Sequence, residues 1–292
     1  MKKILVTGGT GQVGTELGRL DWPANVLIVM PNRAELELAG LDQLKTYVLN
    51  GNFSAVINSG AYTAVDRAEQ DPLTAFKINA LAPAALAEVT GILGIPLLHV
   101  STDYVFDGSK RQPYIESDPI NPISVYGASK ASGELAIRSI HKNHLILRTS
   151  WVFSPIGSNF VKSMLNLVDR PQLRVVADQS GCPTAAVDIA RALRTIVLRM
   201  MTDHKGLAGT YHFCGDEPTT WYQFAMDIFS LADSAGLKTP AVEAIESKDY
   251  PTAARRPANS VMSSERLNQI FGIEPSQWRD ALADTFVTLR QT

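Results

Sequence analysis

Tyr126 and Lys130 are the residues of this chain whose types and spacing most directly suggest proton chemistry. They stand four positions apart in the segment Tyr-Gly-Ala-Ser-Lys, which opens a helical pattern, so both lie on one face of the predicted helix. A phenol is a poor acid–base group at neutral pH, but a nearby ammonium group favours the phenolate and lowers the pKa of the phenol. We therefore predict that Tyr126 transfers a proton with the help of Lys130. Because this spacing also arises by chance in amphipathic helices, other motifs must support the prediction.

A third candidate, Thr102, lies at the end of a predicted buried strand in the segment His-Val-Ser-Thr-Asp-Tyr-Val-Phe-Asp at residues 99–107. Open α/β sheets bind their ligands beyond the carboxyl ends of the strands. The hydroxyl group of Thr102 can therefore bind the same substrate oxygen as Tyr126.

A glycine-rich turn, Gly8-x-x-Gly11-x-x-Gly14, joins the first predicted strand to an amphipathic helix. Phosphate binding at such a place needs a sharp turn, a close approach of the backbone and the N–H groups of a helix N-terminus. We assign Gly8 and Gly11 to the turn and the close approach, and Gly14 to packing of the helix near the strand. A glycine turn without a ligand is the alternative, but the strand–turn–helix context favours a dinucleotide site. With Tyr126 and Lys130, it predicts a nicotinamide-dependent oxidoreductase in which Lys130 also anchors the nicotinamide ribose.

The end of the second predicted strand bears on which dinucleotide binds. Enzymes that use NAD often carry an acidic residue there, which holds the adenosine ribose hydroxyls. The segment Val-Met-Pro-Asn-Arg at residues 29–33 has no acid, and Arg33 suits a 2′-phosphate. We predict that Asn32 and Arg33 contact the cofactor and that NADPH is preferred. NADH stays open, because Arg33 is equally interpreted as an exposed loop cation and Glu37 follows closely.

The scaffold for these residues is predicted by a rhythm of short apolar runs and longer helical patterns. Almost continuous apolar runs are typical of parallel strands buried on both faces, with helices between them. The predicted strands are residues 4–7, 26–30, 55–58, 96–101 and 145–148, and the predicted helices are residues 11–20, 41–49, 73–93 and 126–141. The pattern indicates an α/β fold with a Rossmann-type, doubly wound parallel sheet.

The rhythm loosens after about residue 151, where Pro, Gly and Ser become frequent. Predicted strands at residues 174–176 and 211–213 and predicted helices at residues 187–201 and 221–235 remain. We expect a dinucleotide-binding domain over residues 1–150, with its sheet completed by parts of 170–215. A smaller, interleaved substrate-binding lobe is expected over residues 151–292.

The composition limits the class of protein. Hydrophobic residues make up 45% and charged residues 19% of the 292 residues, which is an ordinary globular balance. The net charge of −2 and the absence of a long basic run give no sign of nucleic-acid binding. Cys182 and Cys214 are too few for a disulfide framework or a cysteine-based zinc site.

No apolar run is as long as a membrane span and the N-terminal run is too short for a secretory signal, so we expect a cytoplasmic protein without a membrane partner.

The whole set of motifs resembles the extended short-chain dehydrogenases/reductases, and within them the family of reductases that act on a dTDP-linked keto sugar. The resemblance covers nearly the whole chain, and the segments beyond residue 148 separate this subgroup from other Tyr/Lys reductases. The motifs that carry it are residues 7–14, 58–66, 101–106, 126–130, 148–153, 178–184 and 256–260.

The resemblance implies NADPH-dependent reduction of the 4-keto group of dTDP-4-dehydro-L-rhamnose, a step of nucleotide-sugar and cell-surface polysaccharide biosynthesis. It implies the following residue roles. The catalytic set is Thr102, Tyr126 and Lys130; the pyrophosphate is held by Gly8, Gly11, Gln12, Val13 and Gly14; Ala61 and Tyr62 lie along the cofactor; Tyr104 and Trp151 line the sugar pocket; and Asn159 and Arg256 bind the nucleotide diphosphate.

Two departures from the family pattern concern packing and metal binding. Ser59 and Gly60 stand where the family has small alanines, and we expect little consequence. Val187 follows a segment in which some relatives carry a glutamate tied to a metal-bridged dimer. We therefore predict no metal site and treat magnesium as doubtful, and the sequence does not determine whether the chain forms a homodimer.

Three alternatives stay open. A dehydratase of the same superfamily places an acid beside the hydroxyl residue, as Asp103 stands beside Thr102. An epimerase-reductase resembling GDP-fucose synthase needs a Cys and His pair in the sugar pocket, and Cys182 lies in a suitable loop. A non-catalytic protein would resemble the regulatory subunit of methionine adenosyltransferase, but such proteins tend to lose the Tyr or the Lys that this chain retains.

Overall fold

A parallel six-stranded sheet forms the centre of the computed structural model, which describes residues 1–203 and 206–291. The strands of the described chain are β1 (Lys2–Thr7), β2 (Val26–Val29), β3 (Ala55–Asn58), β4 (Leu97–Thr102), β5 (His144–Thr149), β6 (Val152–Phe153), β7 (Gln172–Val176), β8 (Ser180–Gly181), β9 (Thr184–Ala185), β10 (Gly209–His212), β11 (Thr219–Thr220) and β12 (Ala241–Ile245). The central sheet has the order β10-β5-β4-β3-β1-β2, and every pairing in it is parallel. The α/β fold class with a doubly wound parallel sheet is therefore confirmed.

Helices cover both faces of this sheet. In chain order they are α1 (Gln12–Arg19), α2 (Leu41–Asn50), α3 (Val65–Ala68), α4 (Pro72–Phe76), a π-helical turn (Lys77–Leu81), α5 (Ala82–Leu93), a 3₁₀ turn (Asp103–Val105), α6 (Val125–Ile140), α7 (Phe160–Leu165), α8 (Ala186–Met200), α9 (Trp221–Ser234), a second 3₁₀ turn (Ser247–Asp249), α10 (Glu265–Phe271) and α11 (Trp278–Gln291). Side chains alternate across a strand, so Ile4 and Val6 pack against α1 and α8 while Leu5 packs against α2 and α5.

The five predicted strands of the first half agree with β1 to β5 within two residues at each end. The helix predicted over residues 73–93 is helical along its whole length. Its middle is a π-helical turn rather than α-helix, which the apolar pattern did not indicate. Residues from the looser second half also belong to the central layers, because β10 pairs with β5 and α8 packs on the sheet. The division of the chain near residue 150 stays a prediction.

The C-terminal part forms small sheets and helices beside the central sheet. β12 pairs in parallel with β7, and β8 pairs with β11. A separate apolar cluster joins α7, α9 and α11, with Trp278 fully buried at its centre and Phe153 reaching into it from β6. Trp151 and Phe153, which follow β5 closely in the chain, both belong to this cluster, so it packs the C-terminal helices against the segment after β5.

Within the part of the chain that the structure describes, one helical run is long and apolar enough to cross a membrane by length and composition, although no apolar run of that length was expected from the sequence. It is Pro72–Leu93, with 22 residues and a mean hydropathy of 1.3. Half of its most apolar window is buried inside the protein, and Ala82, Leu86 and Val89 pack into the core beneath the sheet. These contacts are those of a core helix in a globular fold, and the cytoplasmic location stays a prediction.

Candidate active site

A cleft of about 640 Å³ lies beyond the carboxyl ends of β1, β3, β4 and β5. Most of the residues singled out from the sequence line it, namely Gly8, Gly11, Gln12, Val13, Arg33, Ala61, Thr102, Tyr104, Tyr126, Lys130 and Trp151. Five others do not: Gly14, Asn32, Tyr62, Asn159 and Arg256 are absent from its lining. The fold thus brings the glycine turn and the Tyr/Lys pair to one cavity, and the roles of the individual residues stay predictions.

The glycine turn has the shape that a bound pyrophosphate requires. Gly8 has a φ of +73°, and a Cβ atom there would lie 2.5 Å from the backbone of Gly60. A Cβ atom on Gly14 would lie 2.2 Å from the carbonyl oxygen of Gly8. Gly11 precedes the first turn of α1, where no side chain caps the helix and no acidic residue is present. The N–H groups of this helix end are left for an anion, so these residues fit a dinucleotide.

Gly60 has a tighter environment than its departure from the family pattern suggested. A Cβ atom there would lie 2.6 Å from Cδ1 of Leu38 and 3.2 Å from the backbone nitrogen of Gly8. Leu38 also lines the cleft, together with Leu36 and Glu37. Leu38 would have to shift to admit an alanine side chain, but the atom in the way is the end of a flexible side chain, so the expectation of little consequence stays a prediction.

The two cofactor residues predicted in the loop after β2 have side chains in different environments. Arg33 is exposed and lines the cleft. The side chain of Asn32 closes a local turn, in which its Oδ1 accepts hydrogen bonds from the backbone nitrogens of Ala34 (2.9 Å) and Glu35 (3.2 Å). This placement supports Arg33 as a cofactor contact and gives the side chain of Asn32 a structural task instead.

Tyr126 stands on the first turn of α6, at the end of β4. The hydroxyl group of Ser124 caps this helix by accepting from the backbone nitrogen of Gly127 at 3.1 Å. A Cβ atom on Gly127 would lie 2.2 Å from the carbonyl oxygen of Tyr104, so glycine allows the helix to approach the strand end. The ring of Tyr126 then meets the ring of Tyr104 edge to face, with 5.5 Å between ring centres.

The protonation of Tyr126 differs from the expectation. Burial raises its pKa to about 12, and a hydrogen bond with Thr102 opposes this shift. Lys130 is not among the groups that shift this pKa. The expected lowering by Lys130 is therefore wrong, because removal of the phenol from water has the larger effect. Tyr126 is a protonated phenol at neutral pH, which is the form that a general acid needs.

Lys130 is buried one helical turn after Tyr126. Its Nζ donates to the carbonyl oxygen of Val100 at 2.7 Å and lies 3.2 Å from Nε2 of His99. Burial lowers the pKa of Lys130 to about 8, while the carboxylate of Glu134 raises it. A cation held in this way at the floor of the cleft suits a ribose hydroxyl or a nearby phenol.

Asn79, which sequence reasoning missed, connects α6 to the loop after β3. It lies in the π-helical turn, accepts from the backbone nitrogen of Tyr62 at 2.8 Å and donates to the carbonyl oxygen of Tyr62 at 3.0 Å. Its Nδ2 also donates to the hydroxyl group of Ser129 on α6 at 3.0 Å. The side chain of Tyr62 packs with Tyr126 and Tyr104 and not along the cleft. A π-helical turn often marks a functional position, but it has no simple sequence signal.

Trp151 has a left-handed backbone, with a φ of +47°. Its ring stacks on Trp221, with 3.5 Å between ring centres and 6° between the planes. A Cβ atom on Gly181 would lie 2.4 Å from Trp151, so the indole is held between Gly181 and Trp221. Both tryptophans line the cleft. Sequence reasoning missed Trp221, because a helix start gave no sign of the direction in which its ring points.

Asn159 and Arg256 have partners within the protein. Nδ2 of Asn159 donates to Oε1 of Gln12 at 2.9 Å and to the carbonyl oxygen of Ser154 at 2.7 Å. Arg256 forms a bidentate ion pair with Asp66, in which Nη2 lies 2.7 Å from Oδ2 and Nη1 lies 3.2 Å from Oδ1. The first residue therefore ties the C-terminal part to the glycine turn, and the second ties it to α3.

No cluster of three or more His, Cys, Asp or Glu side chains able to hold a metal ion is found within residues 1–203 and 206–291. At the position singled out from the sequence, Val187 instead lies at the edge of the apolar cluster between α7, α9 and α11.

A glycine turn that fits a pyrophosphate, together with a buried tyrosine and lysine facing one cleft on a doubly wound sheet, defines a nicotinamide-dependent oxidoreductase of the extended short-chain dehydrogenase/reductase class. The family model described as RmlD substrate binding domain matches residues 1–291. The chain belongs to this family.

Relatives and solved structures agree with this assignment over the whole chain. The dTDP-4-dehydrorhamnose reductase of Sinorhizobium fredii is 43% identical over 281 residues, which cover 96% of this chain and 95% of the relative. A dTDP-4-dehydrorhamnose reductase structure from Clostridium acetobutylicum has a TM-score of 0.90 at 34% identity, covering 99% of both chains. The same enzyme from Bacillus anthracis, solved in complex with NADP, has a TM-score of 0.90 at 33% identity, covering 99% of this chain and 100% of the other.

Proposed function

We propose that this protein uses NADPH to reduce the 4-keto group of dTDP-4-dehydro-L-rhamnose, giving dTDP-L-rhamnose. One observation carries the proposal: Thr102, Tyr126 and Lys130 line the same cleft as the glycine turn. The substrate is that of the relatives named above, which match this chain over nearly its full length. The choice of NADPH is supported by the NADP-bound relative and by Arg33 at the mouth of the cleft.

The proposed mechanism assigns a proton to Tyr126. A nicotinamide cofactor bound at the glycine turn supplies the hydride for the carbonyl carbon. As negative charge develops on the carbonyl oxygen, the phenol of Tyr126 donates its proton, because an alkoxide is far more basic than a phenol. The hydroxyl group of Thr102 orients the same oxygen, and the ammonium group of Lys130 stabilises the phenolate that remains.

The pKa directions agree with this assignment of roles. Burial keeps Tyr126 protonated at neutral pH, so its phenol can donate a proton to the bound substrate. The pKa of Lys130, lowered to about 8, leaves it a cation at neutral pH. Alkaline loss of that cation removes the charge which stabilises the phenolate, so activity should decline above about pH 8.

A turnover assay with matched tyrosine variants tests the proposal. Purified protein with NADPH and dTDP-4-dehydro-L-rhamnose should consume NADPH and yield dTDP-L-rhamnose. Tyr126→Phe keeps the ring and deletes the proton, so kcat should fall by about 10²- to 10⁴-fold while NADPH affinity stays near wild type. Tyr114→Phe is the control, because Tyr114 is buried outside the cleft and donates its hydroxyl proton to Asp107.

Three outcomes would contradict the proposal. Absence of turnover with intact NADPH binding would favour a non-catalytic protein. Formation of a dehydrated or epimerised product instead of dTDP-L-rhamnose would favour the other enzymes of the superfamily. Near-wild-type kcat in Tyr126→Phe, with chemistry rate-limiting, would remove Tyr126 from the acid role.

A further inference from the structure

A line of four buried polar side chains connects Lys130 to the end of β1. Oγ1 of Thr7 lies 2.6 Å from Oδ1 of Asn58, Nδ2 of Asn58 lies 2.9 Å from Nδ1 of His99, and Nε2 of His99 lies 3.2 Å from Nζ of Lys130. Each of the four residues is at most 2% exposed. Polar groups buried this deeply are held by one another, so the proton on each one restricts its neighbour.

His99 is neutral in this environment. Burial lowers its pKa well below the usual value, and the positive charge of Lys130 lowers it further. A neutral imidazole has one N–H group and one acceptor nitrogen. Nδ1 faces Asn58 and Nε2 faces Lys130. Whether Nδ1 acts as donor or acceptor towards Asn58 therefore fixes whether Nε2 offers Lys130 an acceptor or an N–H group.

Only one of the two tautomers suits an ammonium group. When Nδ1 carries the proton and donates to the amide oxygen of Asn58, Nε2 is free to accept a hydrogen bond from Lys130. When Nε2 carries the proton, Nδ1 accepts from the amide nitrogen of Asn58, and Nε2–H faces Lys130, which must then be a neutral amine to accept. The hydrogen bonds around Asn58, with Nδ2 facing Nδ1 of His99 and Thr7 donating to Oδ1, correspond to the second arrangement. A half-turn of the Asn58 amide exchanges its nitrogen and oxygen, so that Nδ2 donates to Oγ1 of Thr7 and Oδ1 accepts from Nδ1 of His99, which gives the first arrangement.

The other charged and titratable groups around Lys130 are engaged elsewhere. Glu134 of α6 is paired at 2.7 Å with Arg148 of β5, Asp103 accepts from Thr102 at 2.9 Å, and Tyr126 is hydrogen-bonded to Thr102. Besides His99, the hydrogen-bond partner of Nζ among the described residues is the carbonyl oxygen of Val100. Two of the three N–H bonds of the ammonium group are thus directed into the protein, and the third is left for the cleft.

We propose that His99 is a positioning residue that, as the Nδ1–H tautomer with its proton donated to the turned amide of Asn58, accepts a hydrogen bond from Lys130. This hydrogen bond keeps the ammonium group of Lys130 charged and directed at the cofactor ribose. This inference rests on the proposed nicotinamide-dependent reaction. His99 acts through Lys130 and does not contact the substrate. Loss of the acceptor removes a hydrogen bond to a charged group, so Lys130 becomes neutral at a lower pH.

The pH dependence of NADPH binding tests the proposal without the sugar substrate. In wild-type protein, NADPH affinity should weaken as Lys130 loses its proton. In His99→Leu this weakening should begin about one to two pH units lower. His99→Gln offers an amide oxygen at a similar reach and should restore most of the wild-type profile. His212→Gln is the matched control, because His212 is a fully buried imidazole 3.3 Å from the cation of Arg148 and outside the cleft.

Two further measurements keep the test decisive. Nitrogen NMR of histidine-labelled wild-type protein, assigned with His99→Gln, should show His99 with a protonated Nδ1 and an unprotonated Nε2 at neutral pH. The alkaline decline of kcat/KM should move with the binding profile in each variant. An unshifted profile in His99→Leu, or a protonated Nε2 at neutral pH, would overturn the proposal. Loss of keto-sugar turnover in the wild type with the predicted binding and NMR results would instead refute only the substrate assignment.

Discussion

Replacement of Asp103 by asparagine should stabilise this protein at neutral pH, although the residue lies beside the catalytic candidates. Asp103 is 2% exposed. Burial raises the pKa of its carboxyl group from 3.8 to about 6, against an opposing hydrogen bond from Thr102. A shift of about two units corresponds to about 3 kcal/mol. Asparagine is neutral at every pH and keeps an oxygen that can accept from Thr102, so it removes this penalty.

The direction in which stability changes with pH follows from the proton affinity of Asp103 in the folded and unfolded states. Because the folded state holds the Asp103 proton more tightly than the unfolded state, the penalty is absent below about pH 4, grows between about pH 4 and 6, and is complete above that range. The free energy of unfolding of the wild type should therefore fall across this window relative to Asp103→Asn. The two proteins should have similar stability at pH 4, and the variant should be more stable by up to about 3 kcal/mol at pH 7.

Asp107 provides a control with the opposite sign. The backbone and hydroxyl groups of Ser109 and the amide of Asn121 donate to its carboxylate and hold its pKa below the usual value. Its contribution to stability is present above the unfolded pKa and is lost as the pH falls, so Asp107→Asn should destabilise the protein at pH 7. Urea unfolding of wild type and both variants at pH 4 to 7 measures this. A free energy of unfolding for Asp103→Asn that runs parallel to that of the wild type would refute the assignment of a buried, charged Asp103.

The remaining predictions concern ligand contacts at the two sides of the cleft. Arg33→Ala should weaken NADPH binding more than NADH binding, because only NADPH carries the 2′-phosphate; equal losses in fluorescence titrations would exclude Arg33 from that contact. Arg256→Ala should raise the KM for the nucleotide sugar and leave NADPH affinity near wild type. Asp66→Asn separates this role from the ion pair: if Arg256 binds the diphosphate, freeing it should leave KM unchanged or lower, whereas equal losses in both variants would indicate that the ion pair only joins the C-terminal part to α3.

Local sequence was most informative where a residue type is required by backbone geometry or by burial on both sides. The first strands were predicted closely because β1, β3 and β5 are almost fully buried and so carry continuous apolar runs. The glycine turn was recognised because Gly8 and Gly14 approach other backbone atoms too closely to carry a side chain. Tyr126 and Lys130 were predicted as a pair because helical spacing places them on one face, and the glycine turn and Thr102 supported that prediction.

The sequence did not reveal contacts that depend on packing between distant segments. His99 reads as one polar residue in a buried strand, and its meeting with Lys130 requires α6 to lie across β4. The π-helical turn that positions Asn79 and the stack of Trp221 on Trp151 likewise join parts of the chain far apart in sequence. Arg256 was predicted to bind the nucleotide diphosphate, and nothing near it in sequence indicated that it also pairs with Asp66.

The sequence by itself determined the class of fold, and it predicted the dinucleotide turn and the Tyr126/Lys130 pair, since each depends on periodicity or spacing within a short segment. The tertiary structure alone decided the protonation of that pair. Helical spacing indicated that Lys130 would lower the pKa of Tyr126, but burial raises it to about 12. The cost of removing a charge from water depends on every segment that surrounds the group, and no local pattern contains that information.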